Sequence, residues 1–144
     1  MKKINCILLV DDNPVDNAFH KIIITKADIC NNVREVANGE QALSYIKKAG
    51  EQELHTSQQD LQADFPKPDI ILLDINMPRM NGFEFLENYS KLDANLKAKV
   101  LIVMLATSLT PSEELKITSN KEVTGFQNKP MNVKTLHEIV EKYF

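Results

Sequence analysis

"ILLVDDNP", residues 7–14, places four apolar residues directly before two adjacent carboxylates, Asp11 and Asp12. A short, continuous apolar run of this kind is typical of a buried strand. Two neighbouring anions beside such a strand repel each other, and burial makes their charged forms costly. The stretch therefore predicts a compensating feature near the two acids: a cation, a helix N-terminus or solvent.

Apolar runs and helical patterns alternate along the rest of the chain. Continuous apolar runs predict buried strands at 4–10, 69–75 and 100–105, and weaker strand patterns cover 33–36 and 124–130. A helical pattern follows each strand, at 13–27, 40–49 (after a turn at Asn38–Gly39), 81–92, 110–118 and 132–144. This alternation predicts an α/β fold, a parallel sheet covered on both faces and connected by right-handed crossovers.

The composition of the 144 residues limits the possible classes of protein. Hydrophobic residues make up 43% and charged residues 26%, which is the mix of a soluble globular domain. The formal net charge of −3 gives no electrostatic reason to bind nucleic acid or an anionic membrane directly. Cys6 and Cys30 lack metal-type spacing and are interpreted as reduced thiols of a cytoplasmic protein. We expect one domain over 1–144, in which the polar stretch 49–68 is a surface insert or, alternatively, a partner-specific one.

Asp74 ends the second long apolar run, just as Asp11 and Asp12 follow the first. In an open parallel sheet the carboxyl ends of the strands share one edge, so neighbouring strands would bring the three acids together. Oxygen ligands suit a hard cation, and Mg²⁺ accepts a few carboxylates while keeping several waters. Lys129 and Thr107 follow other predicted strands at the same edge. The sequence therefore predicts a Mg²⁺ site with a lysine and a hydroxyl group beside it.

Four segments together resemble the response-regulator receiver domain of two-component signalling: "LLVDDNP" (8–14), "DIILLDINMPRMNGFEFL" (69–86), "VMLATS" (103–108) and "GFQNKP" (125–130). Their order and spacing match the family over essentially the whole chain. The resemblance implies a flavodoxin-like, doubly wound, five-stranded parallel sheet with strand order 2-1-3-4-5. It is also compatible with a cis peptide bond before the proline that ends the last segment.

The resemblance assigns a role to each residue of the predicted site. Asp74 would be the phospho-acceptor, and Asp12 would bind Mg²⁺ directly while Asp11 acts mainly through a metal-bound water. Asn76 would offer its backbone carbonyl to the metal. Lys129 would form an ion pair with Asp74 and then with the phosphate.

Two features of the switch region depart from the family pattern. Phe126 stands where the family has a rotating aromatic residue, often Tyr, so its switching would rest on packing rather than on a hydroxyl hydrogen bond. The family's hydroxyl residue after the fourth strand falls on Ala106 when counted from the helix cap at Thr110, and on Thr107 when counted from Lys129. We favour Thr107 because a hydroxyl would then meet the phosphate.

The resemblance implies a stand-alone receiver that accepts a phosphoryl group from a sensor histidine kinase or a histidine phosphotransfer protein. Because the chain ends near its fifth helix, we expect the signal to leave by docking on a downstream protein, through the fourth helix, fifth strand and fifth helix. Such a protein would catalyse no more than its own phosphorylation and dephosphorylation. Two alternatives are a receiver-like docking module that is never phosphorylated and an aspartyl-phosphate phosphohydrolase. Against the phosphohydrolase, Asn76 stands where a second acid would follow Asp74.

Overall fold

The computed structural model of the protein describes residues 3–55, 65–77, 80–106 and 109–144, with the backbone alone for residues 52–55. Within these ranges, five strands and five α-helices alternate, and a short 3-10 helix lies at Ala94–Leu96. The strands are β1 (Ile4–Val10), β2 (Cys30–Val36), β3 (Ile70–Asp74), β4 (Val100–Leu105) and β5 (Gly125–Asn128). The helices are α1 (Pro14–Ala27), α2 (Gly39–His55), α3 (Gly82–Ser90), α4 (Pro111–Thr118) and α5 (Val133–Tyr143).

All strand pairs are parallel, and their order in the sheet is β2-β1-β3-β4-β5. This confirms the predicted doubly wound, flavodoxin-like fold. The chain reverses its direction of travel across the sheet between β1 and β3, which lie side by side with Val10 opposite Leu73. Such a reversal point is where open α/β sheets bind their ligands.

The apolar core consists of two layers, one on each face of the sheet. Alternate residues of β1, β3 and β4 join different layers, as the two-residue period of a strand requires. One layer packs against α2, α3 and α4 and includes Ile46, Phe85 and Ile117. The other packs against α1 and α5 and includes Ile24 and Leu136. Both faces are thus closed by helices, and the carboxyl edge of the strands is where the polar residues gather.

Side-chain caps begin the helices that follow the strands at this edge. Asn13 caps α1 through the backbone N–H groups of its first turn. Asn81 and Thr110 form capping boxes with Glu84 and Glu113, and the second box confirms the helix cap predicted at Thr110. These caps fix where the chain turns from each strand into the next helix, and so hold the loops that carry the polar residues.

The second helix begins earlier and ends later than its sequence pattern indicated. The turn predicted at Asn38–Gly39 is the start of α2, where Asn38 Oδ1 accepts the backbone N–H of Gln41 at 2.9 Å. The helix runs to His55, so it takes up the first part of the predicted 49–68 insert. Neither α2 nor any other helix in the described ranges combines the length and apolar character that crossing a bilayer requires.

The last part of that stretch is tied to the core, and residues 56–64 lie outside the described residues. The Tyr45 hydroxyl donates to the carbonyl of Pro66 at 2.6 Å. The rings of Tyr45 and Phe65 meet edge to face with centroids 5.6 Å apart. The chain therefore returns to the sheet through a packed contact directly before β3.

Gly82 lets α3 approach the end of β3 closely. A Cβ atom at this position would lie 2.7 Å from the Cα of Ile75 and 3.1 Å from the carbonyl oxygen of Asp74. The backbone N–H of Gly82 donates to the Ile75 carbonyl at 2.9 Å. The Ile75 Cδ1 atom, at 2.6 Å, belongs to a side chain that can move, but the other two obstacles are backbone atoms. A side chain here therefore has to displace either the helix or the strand end that carries Asp74.

We therefore expect Gly82→Ala to lower the free energy of unfolding by roughly 1–3 kcal/mol, the usual cost of overpacking. Urea denaturation gives the value. Gly125→Ala is the matched control, because its Cβ would meet only the Ile102 side chain at an ordinary 3.8 Å. Equal effects of the two substitutions would show that the close approach at Gly82 does not constrain the fold.

Candidate functional site

The two neighbouring strands β1 and β3 deliver the acids of the site. Asp74 is the last residue of β3, and Asp11 and Asp12 follow the last residue of β1. Carboxylate oxygens of the three aspartates lie within 4.8 Å of one another. The structure therefore brings together the three acids that the strand pattern predicted at one edge.

Asp11 and Asp12 occupy different environments although they are adjacent. Asp11 is only 5% exposed. Its Oδ1 accepts the backbone N–H of Asn13 at 2.9 Å, and its backbone carbonyl accepts the Asn17 side-chain amide at 3.0 Å. Asp12 is exposed to solvent. Asp11 is thus held in place by the protein, whereas Asp12 is directed to the open side of the site.

Lys129 reaches the acids from the loop after β5. Its Nζ lies 2.7 Å from Asp11 Oδ2, 3.0 Å from Asp16 Oδ2 and 3.6 Å from Asp74 Oδ1. The lysine side chain is 13% exposed, so little solvent screens its contacts with Asp11 and Asp74, whereas the Asp16 side chain is partly solvated. The ion pair with Asp74 that the resemblance implied is present, but it is the longest of the three.

Asp16 is a site residue that the sequence reasoning did not assign to the site. It lies in the first turn of α1, where an acid is expected simply because it favours the helix dipole. Its short spacing from Asp11 and Asp12, across a single capped turn, is the signal that points to the same edge. Its contact with Lys129 joins residues 113 positions apart, which no local pattern reveals.

The charges of the site change the proton affinities of its groups. Burial raises the pKa of Asp74 to about 6, and the Asp11 carboxylate adds to this, while Lys129 and the backbone N–H of Asn76 oppose it. Burial also opposes the charge of Lys129, but its hydrogen bonds to Asp11 and Asp16 outweigh burial and raise its pKa. The cluster therefore holds a fully charged lysine beside an aspartate whose charge is costly without a further cation.

His20 supports the loop that carries Lys129. Its side chain is buried in α1, and Nε2 accepts the backbone N–H of Met131 at 3.2 Å. Burial, together with the nearby Lys129 ammonium, lowers the pKa of His20. The neutral imidazole ring is therefore favoured over the protonated one. The sequence analysis did not assign His20 to the site, because no local pattern reveals this contact. The peptide bond Lys129–Pro130 within the loop is cis, in agreement with the expectation.

The remaining predicted residues lie around the acids. Asn76 is exposed, and its backbone N–H donates to Asp74 Oδ1 at 3.4 Å. The Lys129 backbone N–H donates to the Leu105 carbonyl at 2.7 Å, so the β4–β5 ladder continues and sets Ala106 beside Lys129. Met104 pairs with Asp74, and side chains two residues apart on a strand point to the same face of the sheet. Ala106 therefore lies on the same face as Asp74.

Thr107 lies outside the described residues, so its predicted contact with a phosphate stays a prediction. Phe126 lies in the edge strand β5 opposite Val103 and is 37% exposed. An aromatic ring that is half-exposed on an edge strand is accessible to a partner.

The donor set fits a hard divalent cation. Asp11, Asp12 and Asp74 offer only carboxylate oxygens, which is the ligand type that Mg²⁺ prefers. The raised pKa of Asp74 and its cause, burial beside Asp11, indicate that this cluster carries more negative charge than Lys129 compensates. This cluster therefore has the composition of a Mg²⁺ site.

Removing the Asp74 charge should stabilise the metal-free protein in a pH-dependent way. Because the pKa of Asp74 is higher in the folded than in the unfolded protein, ionisation of Asp74 destabilises the fold. This destabilisation is absent below the unfolded-state pKa and complete above the folded-state pKa. In EDTA, Asp74→Asn should raise the free energy of unfolding by roughly 1–3 kcal/mol near neutral pH, and the gain should shrink as the pH falls from about 6 towards 4. Thermal unfolding across this range measures it. Asp93→Asn, at an exposed position without a side-chain cap bond, is the control; a gain for Asp74→Asn that does not vary with pH contradicts the assignment.

Comparisons with known proteins agree with this geometry. Residues 7–141 match the family model of the response regulator receiver domain. The response regulator Rcp1 of Synechocystis sp. is 27% identical over 135 residues, which cover 94% of this chain and 83% of that protein. The nitrate/nitrite response regulator protein NarL of Escherichia coli is 31% identical over 137 residues, which cover 92% of this chain but 53% of NarL.

Solved structures give the same result. A two-component response regulator from Cytophaga hutchinsonii superposes with a TM-score of 0.78 at 25% identity, over 99% of this chain and 98% of that one. The match to the family model spans both layers of the core, the acidic cluster and Lys129. The chain therefore belongs to the response regulator receiver domain family of two-component signalling systems.

Proposed function

We propose that the protein is a phospho-accepting response regulator, in which Asp74 receives a phosphoryl group and the fold transmits the change to a partner. The observation that carries the proposal is the convergence of Asp74 with two further acids and the Lys129 ammonium at the reversal point of the sheet. This is the arrangement that a carboxylate nucleophile needs for a highly charged substrate. The donor is a sensor histidine kinase or a histidine phosphotransfer protein.

The proposed reaction is a displacement at phosphorus. An Oδ atom of Asp74 forms the new O–P bond, the N–P bond of the donor phosphohistidine breaks, and its electron pair stays on the imidazole nitrogen, which then takes a proton. With a pKa of about 6, raised by burial and Asp11, the Asp74 carboxyl is mostly ionised at neutral pH. The Lys129 ammonium, 3.6 Å from Asp74, is placed to neutralise charge on the phosphoryl oxygens.

Three residues besides Asp74 are proposed to hold Mg²⁺: Asp12 directly, Asp11 mainly through a bound water, and Asn76 through its backbone carbonyl. The exposure of Asp12 supports its direct role. Asp11 is less free to bind metal, since one oxygen accepts the Asn13 N–H and the other the Lys129 ammonium. When bound, Mg²⁺ neutralises the charge that develops on the transferring phosphoryl group.

The proposed output surface consists of α4, β5 and α5. Leu115 on α4 is 68% exposed and Phe126 on β5 is 37% exposed, so this surface presents apolar side chains. Lys129 leads from β5 towards α5, and a phosphate that attracts its ammonium therefore acts on this surface first. We propose a downstream protein as the partner, a cytoplasmic setting, no direct binding of nucleic acid or membrane, and no enzymatic role beyond the protein's own phosphorylation cycle.

The strength of the switch follows from the number of new contacts. Shifting a two-state equilibrium almost completely takes roughly 5 kcal/mol of differential interaction. A charge-assisted hydrogen bond contributes about 1.5–3 kcal/mol, and the lysine contact partly replaces existing ones. We therefore expect phosphorylation alone to shift the free protein partially and the partner to complete the change.

Asp74 should be the phosphorylated residue. Wild-type protein incubated with acetyl phosphate and Mg²⁺ should gain the mass of one phosphoryl group, and Asp74→Asn should abolish the gain because the nucleophilic oxygen is lost. Intact mass spectrometry gives the answer, with EDTA as the metal-free control and Asp93→Asn as the matched substitution. Labelling of Asp74→Asn at the wild-type level overturns the assignment. No labelling of the wild type, also by a histidine phosphotransfer donor, favours a docking module that is never phosphorylated.

Beryllofluoride, a phosphoryl mimic, should change hydrogen exchange mainly within residues 106–130, with smaller changes in 40–68. The reason is that Lys129 and the end of β4 flank Asp74, whereas the second helix borders Asp11 and Asp12 through Gln41 in its first turn. Exchange is followed by mass spectrometry with and without beryllofluoride, and Asp74→Asn should show no difference between the two conditions. If the largest changes fall in 49–68, that stretch transmits the signal and the surface proposed above is incorrect.

A further inference from the structure

The ammonium group of Lys129 is held by an acid that belongs neither to the predicted metal ligands nor to the phospho-acceptor. Asp16 Oδ2 lies 3.0 Å from Nζ, closer than Asp74 Oδ1 at 3.6 Å. Asp16 is fixed in the first turn of α1, where its backbone N–H donates to the Asn13 cap at 3.2 Å. The contact is therefore between a lysine that follows β5 and an acid anchored on a different element.

We infer that Asp16 is a positioning residue that retains the Lys129 ammonium on the α1 side of the site until a phosphoryl group on Asp74 draws it away. This inference rests on the proposed function and adds that Asp16 restrains the movement of Lys129 towards the phosphoryl group. Two of the three N–H donors of Lys129 bind Asp11 and Asp16, and Nζ lies 3.6 Å from Asp74, beyond hydrogen-bond distance. The ammonium therefore has to shift towards a phosphoryl group on Asp74, and this shift stretches its contact with Asp16.

The order of the three contacts decides which one is given up. The Asp11 contact is short and buried, with side-chain exposures of 13% for the lysine and 6% for the acid. The Asp16 side chain is 35% exposed, so water can solvate its carboxylate after the lysine leaves. Asp16 is thus the partner that the ammonium can leave at a low free-energy cost. Because this cost is not zero, it determines how readily a phosphoryl group on Asp74 attracts Lys129.

Release of Asp16 also changes the surface beside the site. Asp16 and Lys129 border a groove lined by Val15, Phe19, His20 and Pro130, with a volume of about 360 Å³. While the pair is closed, the lysine neutralises the carboxylate at the border of this groove. When the lysine moves towards Asp74, the groove gains an uncompensated negative charge, so the α1 side of the molecule changes together with the α5 side.

The test compares two measurements that a restraint moves in opposite directions. At low ionic strength with fixed Mg²⁺, Asp16→Asn should bind beryllofluoride about two- to fivefold more tightly than wild type, the effect of one partly exposed ion pair. In EDTA, the same variant should melt about 1–3 °C lower, because the partly solvated Asp16 carboxylate, unlike the buried Asp74, has little desolvation penalty to offset the ion pair that is lost. Asp16→Glu, which keeps the charge, should restore both values towards wild type. NMR titration gives the affinity and thermal unfolding the stability.

Two controls separate the restraint from a general effect of charge. Asp28→Asn removes the same charge from another lysine-paired aspartate, the residue that caps the C-terminal end of α1, and should leave beryllofluoride affinity unchanged. In a Lys129→Gln background the gain from Asp16→Asn should vanish, since no ammonium remains to be released. An equal gain in both backgrounds, or weaker binding by Asp16→Asn, overturns the inference.

Failure of the proposed function gives a different result. If the wild type binds no beryllofluoride, there is no phosphoryl state for Lys129 to serve, and both the proposed function and the restraint are refuted. If the wild type binds and Asp16→Asn melts at the wild-type temperature in EDTA, the restraint alone is refuted, because the pair then contributes nothing in solution.

Discussion

One ammonium group among four carboxylates is the interaction on which the site depends. Lys129 Nζ contacts Asp11, Asp16 and Asp74, and Asp12 lies at the same edge. A single positive charge cannot compensate four carboxylates. Of the others, Asp12 is exposed to solvent, and burial together with the neighbouring Asp11 raises the pKa of Asp74, so that the Asp74 charge remains costly. The metal-free protein therefore stores an unfavourable charge at the place where a cation and a phosphoryl group would act.

The apolar layers make that arrangement possible. Charged groups converge only if the strands that carry them are held in register, and β1 and β3 are buried on both faces with Val10 opposite Leu73. The close packing of α3 on β3 at Gly82 then fixes the backbone at Asp74. Hydrophobic burial near 25 cal/mol per Å² offsets the local repulsion, so the cluster is maintained by the core rather than by its own contacts.

The sequence was informative where structure follows local periodicity and uninformative where it follows long-range geometry. The bounds of β1 and β4 were predicted as they occur because a doubly buried strand is a nearly continuous apolar run, which in β1 is broken by the exposed Asn5. The start of α2 was predicted one residue late, at 40 instead of Gly39, because Asn–Gly is typical both of a turn and of a helix start capped by Asn38. Asp11, Asp12 and Asp74 were predicted to meet because parallel strands end at one edge, but the contacts of Lys129 with Asp16 and of His20 with Met131 depend on how α1 packs beside the β5–α5 loop.

That packing links the two sides of the site. His20 accepts the N–H of Met131, two residues after Lys129, and α1 also carries Asp16, the more exposed partner of the same lysine. The backbone of the loop is thus attached to α1 by an uncharged hydrogen bond that is buried, and its side chain by an ion pair that is partly solvated. The first bond is costly to break and the second is not. On the proposed function, a phosphoryl group on Asp74 would therefore move the lysine side chain before it moved the loop, and a side-chain exchange would precede any rearrangement of β5 and α5.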